Sequence, residues 1–221
     1  MKLPVNSHLI ITGDSVTDCN RARPVGAGSV DALGDGYVSA INALLVTADP
    51  VHAIRITNMG VSGNTVRDLA ARWDTDVLAL KPDWLSVMIG INDVWRHFDA
   101  FRPSEAVPPD EFARTYGALL SRTRAQLRGL VLLTPYYLEP ARTDPMRHRM
   151  DGYGAIVRQL AVEHDAILVD TQAAFDRVLA HHPSASLSAD RVHPNRLGHM
   201  ILARAFLDAV DFAWAPAARD R

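Results

Sequence analysis

A carboxylate and an imidazole lie three positions apart near the end of the chain, at Asp190 and His193 in the segment LSADRVHPNRLGHM. Pro194 follows the histidine and fixes its own φ, so we expect a stiff loop that leads into a helix. Such a pair can bind a metal, form a local salt bridge, or orient the imidazole as a general base beside a nucleophile. The rest of the chain has to decide among these three uses.

Short apolar segments rich in β-branched residues recur along the chain, and segments with helical periodicity separate them. Near-continuous apolar runs are typical of strands that are buried on both faces of a parallel sheet. The alternation predicts an α/β fold, a parallel sheet with helices on both faces, in one domain that spans residues 1–221. The predicted strands are 9–12, 54–59, 84–89, 130–134 and 166–170. The predicted helices are 36–48, 65–80, 109–127, 144–164, 171–182 and 197–210, with a long surface loop at 101–110 and a frayed tail at 215–221.

Polar motifs follow the first three predicted strands at the point where each strand ends. They are GDSVTD (13–18), GVSGNT (60–65) and GIND (90–93), and the acid–imidazole pair lies beyond the fifth strand. In an open parallel sheet every segment that leaves a strand's carboxyl end emerges at one edge, where ligands bind. The four segments are therefore expected to be neighbours in space.

Together these motifs contain the groups needed for nucleophilic catalysis. Ser15 would be the nucleophile, His193 the general base, and Asp190 the acid that fixes the imidazole tautomer. An oxyanion would be bound by the backbone N–H groups of Ser15 and Gly63 and by the side-chain amide of Asn92. Gly63 suits this task because the missing Cβ lets a substrate oxygen approach the backbone.

Each of these residues also has a structural explanation. A serine after a strand often caps a helix, and Asn92 or Asp93 can do the same. Gly60 and Gly63 can be turn residues. An exposed Asp190–His193 pair would contribute little to stability. The occurrence of all four motifs at one predicted edge favours the catalytic interpretation. Ser62 is a rival nucleophile, but in GVSGN the fifth position of a nucleophile elbow is occupied by Asn64.

Other polar residues near the motifs are expected to have structural roles. We expect Asp14 and Asp18 to accept hydrogen bonds from loop amides. His199 falls within the last helical pattern and is expected to pack there or to lie on the surface. His181 and His182 do not occur with acids or cysteine at ligand spacing, so no metal site is expected.

The chain resembles the SGNH (GDSL) hydrolase family in four motifs, GDSVTD, GVSGNT, GIND and DRVHP. The resemblance runs from residue 13 to residue 194, and the family's functional residues fall on Ser15, Gly63, Asn92, Asp190 and His193. It implies a flavodoxin-like, three-layer αβα sandwich with a five-stranded parallel sheet. It also implies ester hydrolysis through an acyl-enzyme, without a metal or an organic cofactor.

Further segments resemble the intracellular acetylxylan esterases of that family: TDCNRARPVG, GNTVRDLAARW, KPDWLSVMIGINDVWR, DPMRHRM and DTQAAF. This resemblance implies removal of acetyl groups from xylo-oligosaccharides and assembly as a homo-oligomer. One position departs from the pattern, because Ala189 stands where that branch has a bulky aromatic residue before the acid. A smaller residue would widen the pocket and change the acyl or sugar preference.

Several residues that follow the strands are expected to rim the same edge and to contact an acylated sugar. Aromatic faces beside polar groups suit a sugar ring. The residues expected to contact substrate are Asp14, Arg21, Trp95, Tyr136 and Tyr137. Trp73 and Trp84 fall within helix and strand patterns and are expected in the core.

The composition excludes some functions. Hydrophobic residues make up 48% of the chain and the formal net charge is −2, which argues against a nucleic-acid binder. No apolar run approaches the roughly 18 residues of a membrane span, and the N-terminal apolar segment is too short for a signal peptide. The single cysteine, Cys19, cannot form an intrachain disulfide, so we expect a cytoplasmic protein.

Two other functions remain open at this point. The same machinery would serve a general carboxylesterase, lipase or thioesterase. A carbohydrate-binding protein that has lost catalysis is a second alternative, which the complete set of catalytic groups disfavours.

Overall fold

A five-stranded parallel sheet forms the centre of the computed structural model, which describes residues 1–26, 31–51 and 53–214. The predicted frayed tail at 215–221 lies outside the described residues. The strand order is β2-β1-β3-β4-β5, the flavodoxin-like order. The strands are β1 (His8–Gly13), β2 (Arg55–Gly60), β3 (Trp84–Met88), β4 (Gly129–Leu133) and β5 (Ile167–Val169).

Both faces of the sheet are buried, which explains the near-continuous apolar strands. Successive side chains of a strand point to opposite faces, and in β1 Ile10 belongs to one core cluster while Leu9 and Ile11 belong to the other. In β4 Leu132 and Val131 divide in the same way. The expected three-layer αβα sandwich is confirmed.

A helical layer covers each face. α2, α8 and α9 contribute to the core with Leu9, and α3, α4, α6 and α7 contribute to the core with Ile10. Trp73 and Trp84 are buried, as predicted. The helices are α1 (Ser15–Asp18), α2 (Tyr37–Ala48), α3 (Val66–Ala71), α4 (Trp73–Asp76), α5 (Ile91–Trp95), α6 (Pro109–Arg124), α7 (Pro145–Glu163), α8 (Thr171–Leu179) and α9 (Arg196–Ala209).

The single helix predicted over residues 65–80 is wrong. The segment forms α3, α4 and a 3₁₀ turn at Leu78–Leu80, and the first interruption falls at Arg72. The Arg72 side chain reaches the carboxyl ends of β1 and β2, where it donates to the carbonyl oxygens of Gly13 and Met59 at 2.8 and 2.7 Å. The break in the helix therefore coincides with the residue whose side chain bonds to the ends of two strands.

The predicted loop at 101–110 contains a 3₁₀ turn at Pro103–Glu105 and ends where α6 begins at Pro109. Proline in the first turn of a helix is favourable because its missing N–H would have no helical acceptor. Among the described residues no helix combines the length and the apolar character that crossing a membrane requires.

Candidate active site

The carboxyl ends of β1 and β3 approach each other closely beneath the site. A Cβ built at Gly13 would lie 2.2 Å from the carbonyl oxygen of Met88, so only glycine fits at the end of β1. The next residue, Asp14, accepts a hydrogen bond from the N–H of Val16 at 3.0 Å and caps α1. Ser15 is therefore presented at the first position of α1, directly above the end of β1.

The Ser15 hydroxyl contacts a histidine from the far end of the chain. Its Oγ lies 2.9 Å from Nε2 of His193, and His193 Nδ1 lies 2.6 Å from Oδ2 of Asp190. Because the carboxylate accepts the Nδ1 proton, the lone pair of Nε2 faces the serine. The three side chains form a continuous hydrogen-bonded chain from hydroxyl to carboxylate, the arrangement of a nucleophile, a base and an orienting acid.

Asp190 is held as an anion by its own loop. Partial burial raises its pKa, but the bond from the His193 ring, the N–H groups of His193 and Val192 and the Ser188 hydroxyl outweigh that effect. The net result is a pKa of Asp190 well below its usual value. The carboxylate is therefore charged at neutral pH and stabilises a positive charge on His193.

The two further oxyanion candidates lie on adjoining segments, Gly63 in the loop after β2 and Asn92 in the first turn of α5. Gly63 has φ +82, in the left-handed region, and a Cβ built there meets no atom of the described residues within 4 Å. Asn92 is buried, and its Nδ2 donates to the carbonyl oxygen of Asn64 at 3.0 Å. Within the described part of the chain, this carbonyl oxygen accepts one of the two Nδ2 hydrogens of Asn92. The second hydrogen can therefore be donated to a ligand.

The rival nucleophile, Ser62, has a structural partner. Its hydroxyl and its N–H both donate to Oδ2 of Asp18 at 2.9 Å, and Arg23 pairs with the same carboxylate. Asp18 thus ties the loop after β2 to α1, in agreement with the expectation that it accepts from loop amides.

His199, the rival base, is buried beside α1 and α2. Its Nδ1 accepts the N–H of Tyr37 at 3.1 Å, so its Nε2 carries the proton and faces Sγ of Cys19 at 3.4 Å. Burial, and then the nearby His193, lower the pKa of His199 to about 4. The ring is neutral at physiological pH and packs within the fold.

The residues expected to contact substrate divide into two groups. Trp95 and Tyr137 are partly exposed, and the Trp95 ring lies edge-on to the His193 ring with 6.2 Å between centroids. Asp14, Arg21 and Tyr136 are buried, which differs from the rim position expected for them. Their polar groups bind backbone instead: Arg21 Nε donates to Gly60 O at 2.6 Å and the Tyr136 hydroxyl to Val192 O at 3.1 Å.

Asp93 makes a contact that the sequence pattern did not specify. The sequence pattern allowed Asp93 to cap a helix after its strand, yet its Oδ1 accepts a hydrogen bond from the N–H of Val66, at the start of α3, at 2.9 Å. Its Oδ2 is buried without a hydrogen-bond partner among the described residues. Burial raises the pKa of Asp93 to about 7, and burial together with Asp93 raises that of Asp14 to about 7.

Arg72 and Asn64 were also not singled out as site residues by the sequence pattern. Arg72 Nε donates to Oδ1 of Asn64 at 2.6 Å, and Asn64 is the residue that follows Gly63 in the chain. The only signal in the sequence was an arginine within a helical pattern, where an exposed position is the default. In the described residues no group of three or more His, Cys, Asp or Glu side chains is arranged to hold a metal ion.

Known proteins with similar sequences are ester hydrolases. Residues 11–201 match the model of the GDSL-like lipase/acylhydrolase family. The chain is 52% identical over 215 residues to an acetylxylan esterase of Geobacillus stearothermophilus, covering 97% of this chain and 98% of that protein.

Solved structures agree with the sequence comparison. A catalytic mutant of Axe2, an acetylxylan esterase from G. stearothermophilus, superposes with a TM-score of 0.96 at 50% sequence identity. The alignment covers 98% of this chain and 100% of that chain. LAE5, an α/β hydrolase enzyme from the metagenome of Lake Arreo, Spain, superposes with a TM-score of 0.93 at 48% identity over 96% of this chain and 98% of LAE5.

Proposed function

The chain belongs to the GDSL-like lipase/acylhydrolase family, and from that premise we propose that it removes acetyl groups from acetylated xylan fragments. It is a carboxylic ester hydrolase, a serine esterase of the GDSL type. The observation that carries the proposal is the hydrogen-bonded chain from Ser15 through His193 to Asp190. The resemblance to acetylxylan esterases over nearly the whole length supports the substrate class.

In the proposed reaction Ser15 Oγ attacks the carbonyl carbon of the acetyl ester while His193 Nε2 takes the hydroxyl proton. The tetrahedral intermediate then expels the sugar oxygen, which receives that proton from His193, and leaves an acetyl group on Ser15. Water attacks the acetyl-enzyme, and His193 takes a proton from it. Collapse releases acetate and returns the proton to Ser15. Asp190 remains ionised throughout and stabilises the imidazolium.

The negative oxygen of each tetrahedral intermediate is proposed to lie against the N–H groups of Ser15 and Gly63 and the amide of Asn92. The left-handed backbone of Gly63 and the open space around it support this assignment. Donors placed before the charge develops lower the barrier without reorganising, and one such donor is worth roughly 3 kcal/mol.

Substrate recognition is proposed to involve the partly exposed Trp95 and Tyr137, with the Trp95 ring beside His193. Aromatic faces pack against the C–H surfaces of a sugar ring, so these two residues suit an ester whose leaving group is a carbohydrate. Ala189 is exposed beside Asp190 and leaves room next to the acid. Asp14, Arg21 and Tyr136 are proposed to act from beneath this surface, by holding the backbone to which they are bonded.

A substrate screen tests the proposal. Acetylated xylo-oligosaccharides, p-nitrophenyl acetate and p-nitrophenyl octanoate would be compared with the wild-type protein and with Ser15→Ala. We expect acetate release from the oligosaccharides, faster cleavage of acetate than of octanoate, and no turnover by the variant. A rate that rises with acyl chain length would contradict the acetylesterase assignment and favour a lipase or thioesterase.

We also propose that residues 1–221 form a single domain, that the protein is cytoplasmic, and that it assembles as a homo-oligomer. A single cysteine suits a reducing compartment. Highly exposed apolar side chains such as Phe101 and Val162 offer surface for contacts between copies. Light scattering coupled to size-exclusion chromatography measures the assembly, and a monomer at all concentrations would contradict it.

A further inference from the structure

Arg72 occupies the interruption between α3 and α4, and its side chain is directed at the ends of two strands. The guanidinium is largely buried, with 15% of the side chain exposed. It donates to Gly13 O at 2.8 Å, to Met59 O at 2.7 Å and to Oδ2 of Asp76 at 2.8 Å. One cation therefore joins the end of β1, which leads into Ser15, to the end of β2, which leads into the Gly63 loop.

The Nε–H group of this guanidinium donates to Asn64. Arg72 Nε lies 2.6 Å from Asn64 Oδ1, and the carbonyl oxygen of Asn64 accepts the side chain of Asn92 at 3.0 Å. Asn64 also directly follows Gly63 in the chain. It therefore joins the loop that presents Gly63 N–H to the helix, α5, that presents Asn92 Nδ2.

The loop needs such an anchor because glycine restrains it weakly. Gly63 has no side chain to pack, and in the part of the chain that the structure describes no atom lies within 4 Å of where its Cβ would stand. The direction of its N–H is then set by the residues on either side. Asn64 is held by its own N–H bond to Val61 O at 3.2 Å, by Arg72 and by Asn92.

We propose that Arg72 and Asn64 are positioning residues of the esterase, which fix Gly63 N–H and the Asn92 amide at the separation an oxyanion requires. The inference rests on the proposed function, because it assumes that these two groups bind the oxyanion. Neither side chain touches the substrate: Arg72 acts through Asn64, and Asn64 acts through its carbonyl oxygen and its place in the chain. A planar guanidinium can serve Asn64 and two carbonyl groups at once, whereas a lysine ammonium cannot reproduce that fork.

The expected effect falls on kcat. In Asn64→Ala the backbone carbonyl remains but the Arg72 anchor is lost, and Arg72→Lys keeps the charge but not the fork. Because small misplacements of catalytic groups have large effects on rate, we expect about a tenfold lower kcat on p-nitrophenyl acetate in each variant, with KM within about twofold of wild type. Arg67→Lys is the matched control, since Arg67 lies on α3 but pairs with Glu111 at the surface. It should keep wild-type kcat.

A double-mutant cycle separates positioning from a general loss of structure. Asn92→Ala alone should lower kcat by about a hundredfold or more. Because Asn64 acts partly through Asn92 and partly through Gly63, adding Asn64→Ala to Asn92→Ala should lower kcat by clearly less than the roughly tenfold expected in the wild-type background. Thermal unfolding of Asn64→Ala should lie within a few degrees of wild type, which shows that the loss of rate is local.

The outcomes distinguish this inference from the proposed function. A wild-type kcat in Asn64→Ala, or fully additive effects in the cycle, would overturn the positioning role while leaving the esterase proposal intact. A wild-type kcat in Asn92→Ala would overturn the oxyanion assignment and this inference with it. If Arg72→Lys does not fold, Asn64→Ala and the double-mutant cycle still test the positioning role.

Discussion

The hydroxyl of Ser15 lies 2.9 Å from Nε2 of His193, although 178 positions separate the two residues in the chain. Ser15 starts the helix after β1, and His193 lies in the loop before α9. The parallel sheet brings them together because every strand ends at the same edge. Asp190 completes the arrangement from within the histidine's own loop, where Oδ1 accepts the N–H groups of Val192 and His193. The geometry of the base is therefore set locally, and its contact with the nucleophile is set by the fold.

Replacing the acid by its amide tests the role of Asp190. In Asp190→Asn the amide would donate to Nδ1 and favour the tautomer with a proton on Nε2, which cannot accept the Ser15 proton. We expect kcat for p-nitrophenyl acetate to fall by about 10³-fold or more. Asp208→Asn, a change of the same type on α9 where the carboxylate accepts from Trp214, is the control and should retain activity. A kcat for Asp190→Asn within tenfold of wild type would show that the acid does not orient the base.

A methyl group at Gly63 tests the proposed oxyanion loop. The methyl group of Gly63→Ala meets no atom within 4 Å among residues 1–26, 31–51 and 53–214. Its cost therefore comes from φ +82, about 1–2 kcal/mol for an L-residue, and from a methyl group beside the donor. We expect kcat/KM to fall at least tenfold with a small loss of thermal stability. Gly152→Ala is the matched control, because its methyl group also meets no described atom within 4 Å but lies within α7. It should keep full activity and gain about 0.5–1 kcal/mol. Equal behaviour of the two variants would remove the special role of Gly63.

The buried carboxyl group of Asp93 should make stability depend on pH. Its pKa is raised from an ordinary 3.8 to about 7, so between these values the unfolded chain loses its proton and the folded chain keeps it. The free energy of unfolding therefore decreases as pH rises through this window, by up to about 1.4 kcal/mol per pH unit. Below pH 3.8 the group contributes nothing, and above pH 7 its penalty is constant.

Asp93→Asn should reduce this slope, because the amide cannot ionise while its Oδ1 can still accept the N–H of Val66. Urea denaturation from pH 4 to pH 8 measures the difference, and the variant should gain stability relative to wild type as pH rises. Asp14, whose pKa is also raised to about 7, should leave a residual slope in the variant. Parallel curves for the two proteins would show that Asp93 does not titrate in this window.

The sequence predicted the sheet well because its strands are buried on both faces. Each predicted strand agrees with the structure to within one residue at each end, since an apolar run with polar residues on both sides defines its own limits. The proximity of Ser15 and His193 followed from the same topology. The parallel order places both segments at one edge, and the structure shows that packing brings their side chains to 2.9 Å.

The sequence did not predict contacts made by long polar side chains across the fold. Arg72 and Arg21 fall in segments where an exposed arginine is the default, yet both donate to carbonyl groups at strand ends. Tyr136 follows β4, where a position on the rim of the site was expected. Instead its hydroxyl donates to Val192 O, and its ring packs on Phe175 with 4.5 Å between ring centroids. Such partners are remote in sequence, and local patterns carry no information about them.

Covalent labelling of Ser15 is the most direct test of the account. The protein would be treated with a fluorophosphonate, digested, and analysed by mass spectrometry, with Ser15→Ala and Ser62→Ala treated in parallel. We expect one modified serine, Ser15, with labelling abolished in Ser15→Ala, retained in Ser62→Ala, and accompanied by loss of esterase activity. Labelling at Ser62, or an active protein that does not label at Ser15, would contradict the assignment of Ser15 as the nucleophile that His193 activates.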